Sequence, residues 1–111
     1  MKVTLKIINI SSGDESLPPT ILGDTIEVDG VVYDFSPLID GAEINIGLPF
    51  TDSVRRRNGV LEVGVLYRYS TVTAEVQQST NPEDYTFMVT DGQCPDPIKS
   101  KPVEVVNEPT S

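Results

Sequence analysis

The chain has 111 residues and a formal net charge of −9, from 17 acidic and 8 basic side chains. This length suits one domain with a substantial core, and no apolar run approaches the ~20 residues that a membrane-spanning helix needs. There is no histidine and only one cysteine. Ser-His-Asp and Cys-His catalysis, imidazole ligation of a metal and an intrachain disulfide are therefore excluded.

The acidic balance and the N-terminus bear on partners and location. A strongly acidic surface repels nucleic acid and anionic membranes, so we expect neither as a partner. Residues 1–5 (M-K-V-T-L) lack the hydrophobic region of a signal peptide, and no small-residue cleavage site follows them. We therefore expect the protein in the cytoplasm where it is made, unless an assembly carries it out.

The N-terminal third predicts one strand followed by a loop. Residues 2–10 (K-V-T-L-K-I-I-N-I) begin with alternating apolar and polar side chains, which is typical of a half-buried strand. Residues 11–24 are rich in turn-forming residues and contain Pro18-Pro19, which forbids a helix and weakens any strand. We predict an exposed loop for this second segment.

The segment I-E-V-D-G-V-V-Y-D-F (26–35) predicts a tight hairpin. Asp29-Gly30 suits a type I′ turn, in which both central residues need positive φ. Val28 then faces Val31, and alternation puts one set of side chains on a common face: Ile26, Val28, Val31, Tyr33 and Phe35. Ser36-Pro37 next predicts the start of a single helical turn that ends at Gly41.

A short strand at 43–46 and a second hairpin follow. Asn58-Gly59 is the turn signal, and it pairs Arg55 with Glu62 across the two strands. Gly64 lies inside the long second strand and indicates a bulge or a close packing contact. The core face of that strand is predicted to consist of Leu61, Val63, Val65, Tyr67 and Tyr69.

The last third predicts one further strand. We expect residues 71–76 to continue the long strand past a bend, and residues 77–84 to form a loop. Residues 85–90 alternate, with Tyr85, Phe87 and Val89 inward, and Asp91-Gly92 ends that strand. Together these patterns predict an all-β, mainly antiparallel fold, a small β-sandwich or barrel-like roll. We assign 1–106 to a single β domain and 107–111 to a flexible C-terminal tail.

Nothing in the sequence predicts catalytic, cofactor-binding or metal-binding residues. The carboxylates, for example those of Asp24 to Asp34, lack the spacing of a calcium loop and suit solvated strand faces and turns. Cys94 has no evident base nearby, so we interpret it as a small, partly buried thiol.

Three consecutive arginines, Arg55, Arg56 and Arg57, are the candidate partner-binding residues. Strand alternation puts Arg55 and Arg57 on one face and Arg56 on the other. They could contact phosphate, an acidic partner or the acidic surface of another copy of the chain, which would build rings or filaments. The simpler interpretation is an ordinary charged hairpin. Among the functional interpretations we favour protein contact.

The block D-T-I-E-V-D-G-V-V-Y-D-F-S-P-L-I-D-G-A (24–42), followed by R-R-N-G-V-L-E-V (56–63), resembles small proteins encoded in tailed bacteriophages and prophages. The resemblance covers roughly the middle 40 residues and rests on turn and core positions. It implies a phage accessory protein, since such genes tend to lie among late structural or tail-region genes. Its location would be the bacterial host cytoplasm or the virion.

The sequence therefore leaves three function classes open. The first is a non-enzymatic phage or prophage accessory protein that binds another copy or another phage structural protein, as a tail-region or assembly component. The second is an acidic host-directed inhibitor or nucleic-acid mimic. The third is a carboxylate-dependent enzyme, which requires a deep pocket with converging acids.

Overall fold

In a computed structural model, the described residues, 1–10, 15–75 and 77–100, form two β-sheets. The tail predicted at 107–111 lies outside these residues. The strands, in chain order, are β1 (Lys2–Ile10), β2 (Thr20–Leu22), β3 (Thr25–Val28), β4 (Val31–Asp34), β5 (Glu43–Ile44), β6 (Val54–Arg57), β7 (Val60–Ser70), β8 (Thr86–Met88) and β9 (Asp91–Gln93). A single 3₁₀ turn spans Pro82–Tyr85. The predicted all-β class, with two tight hairpins and at most one short helical turn, is confirmed within this part of the chain.

The first sheet has the order β5-β6-β7-β1-β8, and the second has the order β4-β3-β2-β9. β1 runs parallel to β7 over its whole length, from Lys2 beside Glu62 to Ile10 beside Ser70. The other strand pairs in both sheets are antiparallel. The long strands β1 and β7 therefore form the centre of the first sheet, where each has neighbours on both sides.

Both predicted hairpins are confirmed in turn geometry and in register. Asp29 and Gly30 have φ of 51° and 83°, and Asn58 and Gly59 have 53° and 80°, as a type I′ turn requires. Val28 pairs with Val31 in the first hairpin, and Arg55 pairs with Glu62 in the second. The local turn chemistry and the side-chain alternation agree at both places.

The two sheets share one hydrophobic core, which contains the inward side chains of β1, β2, β3 and β7. Phe50 joins the sheets: its ring contacts those of Tyr33 and Phe35 edge to face, with centroids 4.8 Å and 5.6 Å away. The close contact predicted at Gly64 is also present. A Cβ there would lie 2.6 Å from Thr51 Oγ1, so only glycine fits without a shift.

The predicted loop at 11–24 is wrong for its last part, which forms β2. Pro19 and Ile21 are fully buried, and the Pro19 carbonyl accepts a hydrogen bond from the Cys94 amide at 2.9 Å. The prolines precede the strand instead of interrupting it, so no ladder donor is lost. Asp91-Gly92 likewise belongs to strand β9, which pairs with β2, and does not simply end the preceding strand.

The helical turn predicted from Ser36 to Gly41 is wrong, because two successive β-turns occupy this segment. Their hydrogen bonds run from Leu38 N to Phe35 O (3.0 Å) and from Ala42 N to Ile39 O (3.1 Å). Ser36 donates its amide to Asp34 Oδ1 at 2.9 Å. That side chain shapes the turn locally in place of a helix cap.

The continuation of β7 predicted at 71–76 is wrong. β7 ends at Ser70, whose carbonyl accepts from Ala74 N at 2.9 Å, so the chain turns there and does not continue as a strand. Val76 lies outside the described residues. Within the predicted loop at 77–84, the 3₁₀ turn begins after Asn81, whose side chain accepts from Glu83 N at 3.1 Å.

Candidate functional site

The three candidate arginines do not form a common basic surface. Arg55 is paired with Glu62 through Nε and Oε1 at 3.0 Å, as the register predicted. Arg57 is exposed, and within residues 1–10, 15–75 and 77–100 it forms no ion pair. Arg56 points to the opposite face of the strand from these two.

Arg56 is an internal anchor. Its side chain is only 14% exposed. Its guanidinium donates to the carbonyl oxygens of Leu38 (2.6 Å) and Phe35 (3.2 Å), and to Asp24 Oδ2 (3.2 Å). These acceptors lie in or beside the first hairpin and the turns that follow it. Arg56 therefore links the second hairpin to that region, and its guanidinium donates to acceptors within the chain and not to a partner protein.

The described carboxylates and the cysteine offer no metal site. Among the described residues, no group of three or more Cys, Asp or Glu side chains could hold a metal ion. Cys94 is buried, and burial raises the pKa of its thiol to about 11, so the nucleophilic thiolate is scarce at neutral pH. The interpretation of Cys94 as a buried thiol is confirmed.

An apolar groove of about 460 Å³ lies between β4 and β5. Tyr33 and Phe35, two of its lining residues, rest on the aromatic ring of Phe50. Several of the lining side chains are apolar and exposed: Val32 by 64%, Ile44 by 46% and Ile46 by 43%. The described residues that line the groove are Val32, Tyr33, Asp34, Phe35, Pro37, Leu38, Ile44 and Ile46.

The two strands that flank this groove are each the last strand of their sheet. In the described part of the chain, β4 pairs only with β3, and β5 pairs only with β6. An edge strand carries backbone donors and acceptors that no neighbour satisfies. The groove therefore combines exposed apolar side chains with two open backbone edges.

Three carboxylates lie at or beside the groove. Asp34 lines it, Glu27 lies opposite Val32 on β3, and Glu43 precedes Ile44 on β5. All three are exposed, and none forms an ion pair within the described residues. The hydrogen bond from the Ser36 amide lowers the pKa of the Asp34 carboxyl below its ordinary value. We call these three side chains the acidic rim.

Two other cavities of the described residues are smaller than the groove. One of about 160 Å³ lies on the outer face of the first sheet, where Lys2, Lys6 and Arg55 alternate with Asp52 and Glu62. Its charges largely compensate one another, as in the Lys6–Asp52 pair at 4.0 Å. A shallow site of about 300 Å³ lies between Met1 and Met88. Neither gathers carboxylates in the way that an acid-base active site requires.

The sequence pattern contained a signal for the groove that the arginine hypothesis overlooked. Val31-Val32 puts a valine on each face of β4, and Ile44-x-Ile46 puts two more apolar side chains in a polar segment. Val31 was expected on the inward face, yet it is 51% exposed, because it lies at the end of the hairpin beside the turn. The apolar side chains of the groove were not recognised as a site because their exposure depends on which strands lack a neighbour.

Comparison with protein families, with curated proteins and with solved structures finds no match to this chain. In the described residues, no helix is long and apolar enough to cross a membrane. The function is therefore inferred from the geometry of the chain itself.

Proposed function

We propose that this protein is a non-enzymatic phage or prophage accessory protein that acts by binding another protein, as a tail-region or assembly component. The observation that carries the proposal is the apolar groove between β4 and β5. A contiguous patch of exposed apolar surface, especially one rimmed by polar residues, marks an interaction site. The phage assignment rests on the resemblance of residues 24–42 and 56–63.

The groove is a better candidate for this contact than the arginines of the second hairpin. Val32 and Ile44 expose apolar area that a partner would remove from water, at a gain of roughly 25 cal/mol per Å². Arg56 is already occupied by carbonyl acceptors, and Arg55 is already paired. Apolar side chains at the centre of an interface also contribute more than charges at its periphery.

Protein contact ranks above nucleic-acid mimicry. A mimic needs a continuous array of unpaired acids, but several carboxylates of this chain are paired with lysine or arginine: Asp24, Asp29, Asp52 and Glu62. These pairs neutralise part of the field that would attract a basic nucleic-acid-binding site. An apolar groove contributes nothing to such mimicry.

The test is co-sedimentation with phage particles. The full-length protein is produced, with a tag, in the bacterium that carries the gene, and particles are purified on a density gradient after induction. The double variant Val32→Ser/Ile44→Ser removes two of the exposed apolar side chains of the groove. We expect the wild-type chain in the particle fractions and at least a tenfold loss for the double variant.

The matched control is Leu22→Ser/Met88→Ser, which removes two exposed apolar side chains that do not line the groove. This control should co-sediment as the wild type does. Equal loss in both double variants would reject the groove as the contact site. A wild-type chain that is absent from particles and from assembly intermediates would reject the phage structural role.

A further inference from the structure

We infer that the groove accepts an extended segment of a partner protein, which adds to the open edge of β4 and alternates apolar with cationic side chains. This inference rests on the proposed function, and it specifies the chemistry of the partner at the same site. Three observations support it: the direction of the backbone groups on β4, the apolar floor of the groove and the acidic rim.

The backbone of β4 is arranged to receive a strand. Residues that flank a type I′ turn exchange both hydrogen bonds, so Val31 faces β3, and alternation turns the N–H and C=O of Val32 and Asp34 outward. The hydrogen bond from Phe35 N to Asp24 O at 2.9 Å fits this alternation, because the backbone N–H of Phe35, like that of Val31, points toward the β3 side. Val32 and Asp34 therefore offer two donors and two acceptors to an added strand.

The apolar floor determines one half of the partner's side-chain pattern. A strand beside β4 would lie between β4 and β5, with every second side chain directed toward Phe35, Leu38 and Ile44. Those side chains must be apolar, because the groove offers them mainly aliphatic and aromatic contacts. A β-branched or leucine side chain at each such position would bury the exposed area on the inner side of the groove, including that of Ile44.

The acidic rim determines which side chains the partner strand carries at its outward-facing positions. The alternate side chains of the added strand would point to the outer face, where Glu27 and Asp34 lie beside Val32. Among the described residues, no lysine or arginine lines the groove, and the chain as a whole carries a net charge of −9. Cationic side chains would satisfy this rim and would be attracted over a distance. A second copy of the same acidic chain would be repelled, so a basic partner fits better.

The experiment is a titration of the ¹⁵N-labelled full-length protein with a blocked heptapeptide, Lys-Val-Lys-Val-Lys-Val-Lys, followed by amide chemical shifts. We expect the largest changes at Val32 and Asp34 and an affinity that falls as salt is added. A Glu-Val heptapeptide reports the charge requirement. A Lys-Gly heptapeptide reports the apolar requirement, and a Lys-Val heptapeptide with alternate N-methyl groups reports the backbone requirement. Each of these three should bind at least tenfold more weakly.

Variants of the protein test the same requirements from the other side. Val32→Pro removes an outward N–H without removing a bond to β3, whereas Val32→Thr keeps that N–H and serves as its control. Asp34→Asn/Glu43→Gln removes two rim charges, and Asn retains the acceptor for the Ser36 amide. Its control, Asp91→Asn/Glu83→Gln, changes the net charge equally at exposed acids outside the groove. We expect the Lys-Val affinity of each test variant to be at least fivefold weaker than that of its control, and the affinity of Asp91→Asn/Glu83→Gln to equal that of the wild type.

Several results would overturn the inference. Equal binding of Lys-Val and Lys-Gly peptides would mean that charge alone attracts them, and shift changes outside β4 and β5 would place the contact elsewhere. A concentration-dependent dimer in light scattering that Val32→Pro abolishes, with no response to peptide, would assign the groove to a second copy. In each case, groove-dependent co-sedimentation with particles would leave the proposed function standing.

Discussion

The two hairpins have nearly the same turn geometry but differ in whether neighbouring strands flank them. Asp29-Gly30 and Asn58-Gly59 differ by only a few degrees in φ, and both hairpins have the register that a two-residue turn imposes. In the second hairpin, the outer edge of β6 pairs with β5 and the outer edge of β7 pairs with β1. In the first, β4 lies at the edge of its sheet beside an apolar groove.

Turn chemistry therefore specifies a hairpin but not what the hairpin does. The second hairpin carries the most conspicuous residues of the sequence, the three arginines, and Arg56 is used to hold the fold together. The first hairpin carries two ordinary valines on an open strand. The surface available to a partner is determined by what the rest of the chain leaves uncovered.

The largest effect should come from breaking the anchor of the second hairpin. Arg56→Ala leaves the carbonyls of Leu38 and Phe35 and the carboxylate of Asp24 without their donor, so we expect a loss of about 3 kcal/mol in the free energy of unfolding. Chemical denaturation measures it. Arg57→Ala, an equal truncation one residue away, should stay within about 0.5 kcal/mol. Equal losses for the two variants would show that Arg56 is not an anchor.

A smaller and equal effect should come from each turn. A Cβ at Gly30 or Gly59 would meet nothing within 4 Å, so the cost of a substitution arises from the positive φ alone. Gly30→Val and Gly59→Val should each destabilise the protein by about 1–3 kcal/mol, because a β-branched residue resists this conformation. Thermal or chemical unfolding measures both. Unchanged stability of Gly30→Val would contradict the type I′ assignment of the first turn.

The two hairpins could be predicted from the sequence, but the contacts between distant segments could not, and the reason is physical. The hairpins were predictable because Asp-Gly and Asn-Gly act locally and the alternation confirms their register. The parallel pairing of Lys2 with Glu62 and the burial of Ile21 were not, because they depend on contacts between distant segments. The role of Arg56 was hidden for the same reason: three adjacent arginines look equivalent until the fold supplies acceptors to one of them.

The smallest effect on stability should occur at the groove. Val32→Ser removes a side chain that is 64% exposed, so we expect a change within about 0.5 kcal/mol in the free energy of unfolding. Leu22→Ser, at a residue of similar exposure outside the groove, should behave alike. A large loss at Val32 alone would mean that this valine is kept for folding, which would remove the reason to assign it to a partner.

Photo-crosslinking from one residue of each hairpin tests directly whether a partner contacts the groove or the arginines. The photoreactive amino acid p-benzoylphenylalanine replaces Val32 in the groove or Arg57 at the second hairpin, both of which are exposed. The full-length protein is irradiated in the proposed bacterial host, under the conditions of the co-sedimentation test. The groove account predicts discrete protein adducts from position 32, at least tenfold more abundant than from position 57. Adducts from position 57 with none from position 32 would contradict it and return the contact to the arginines.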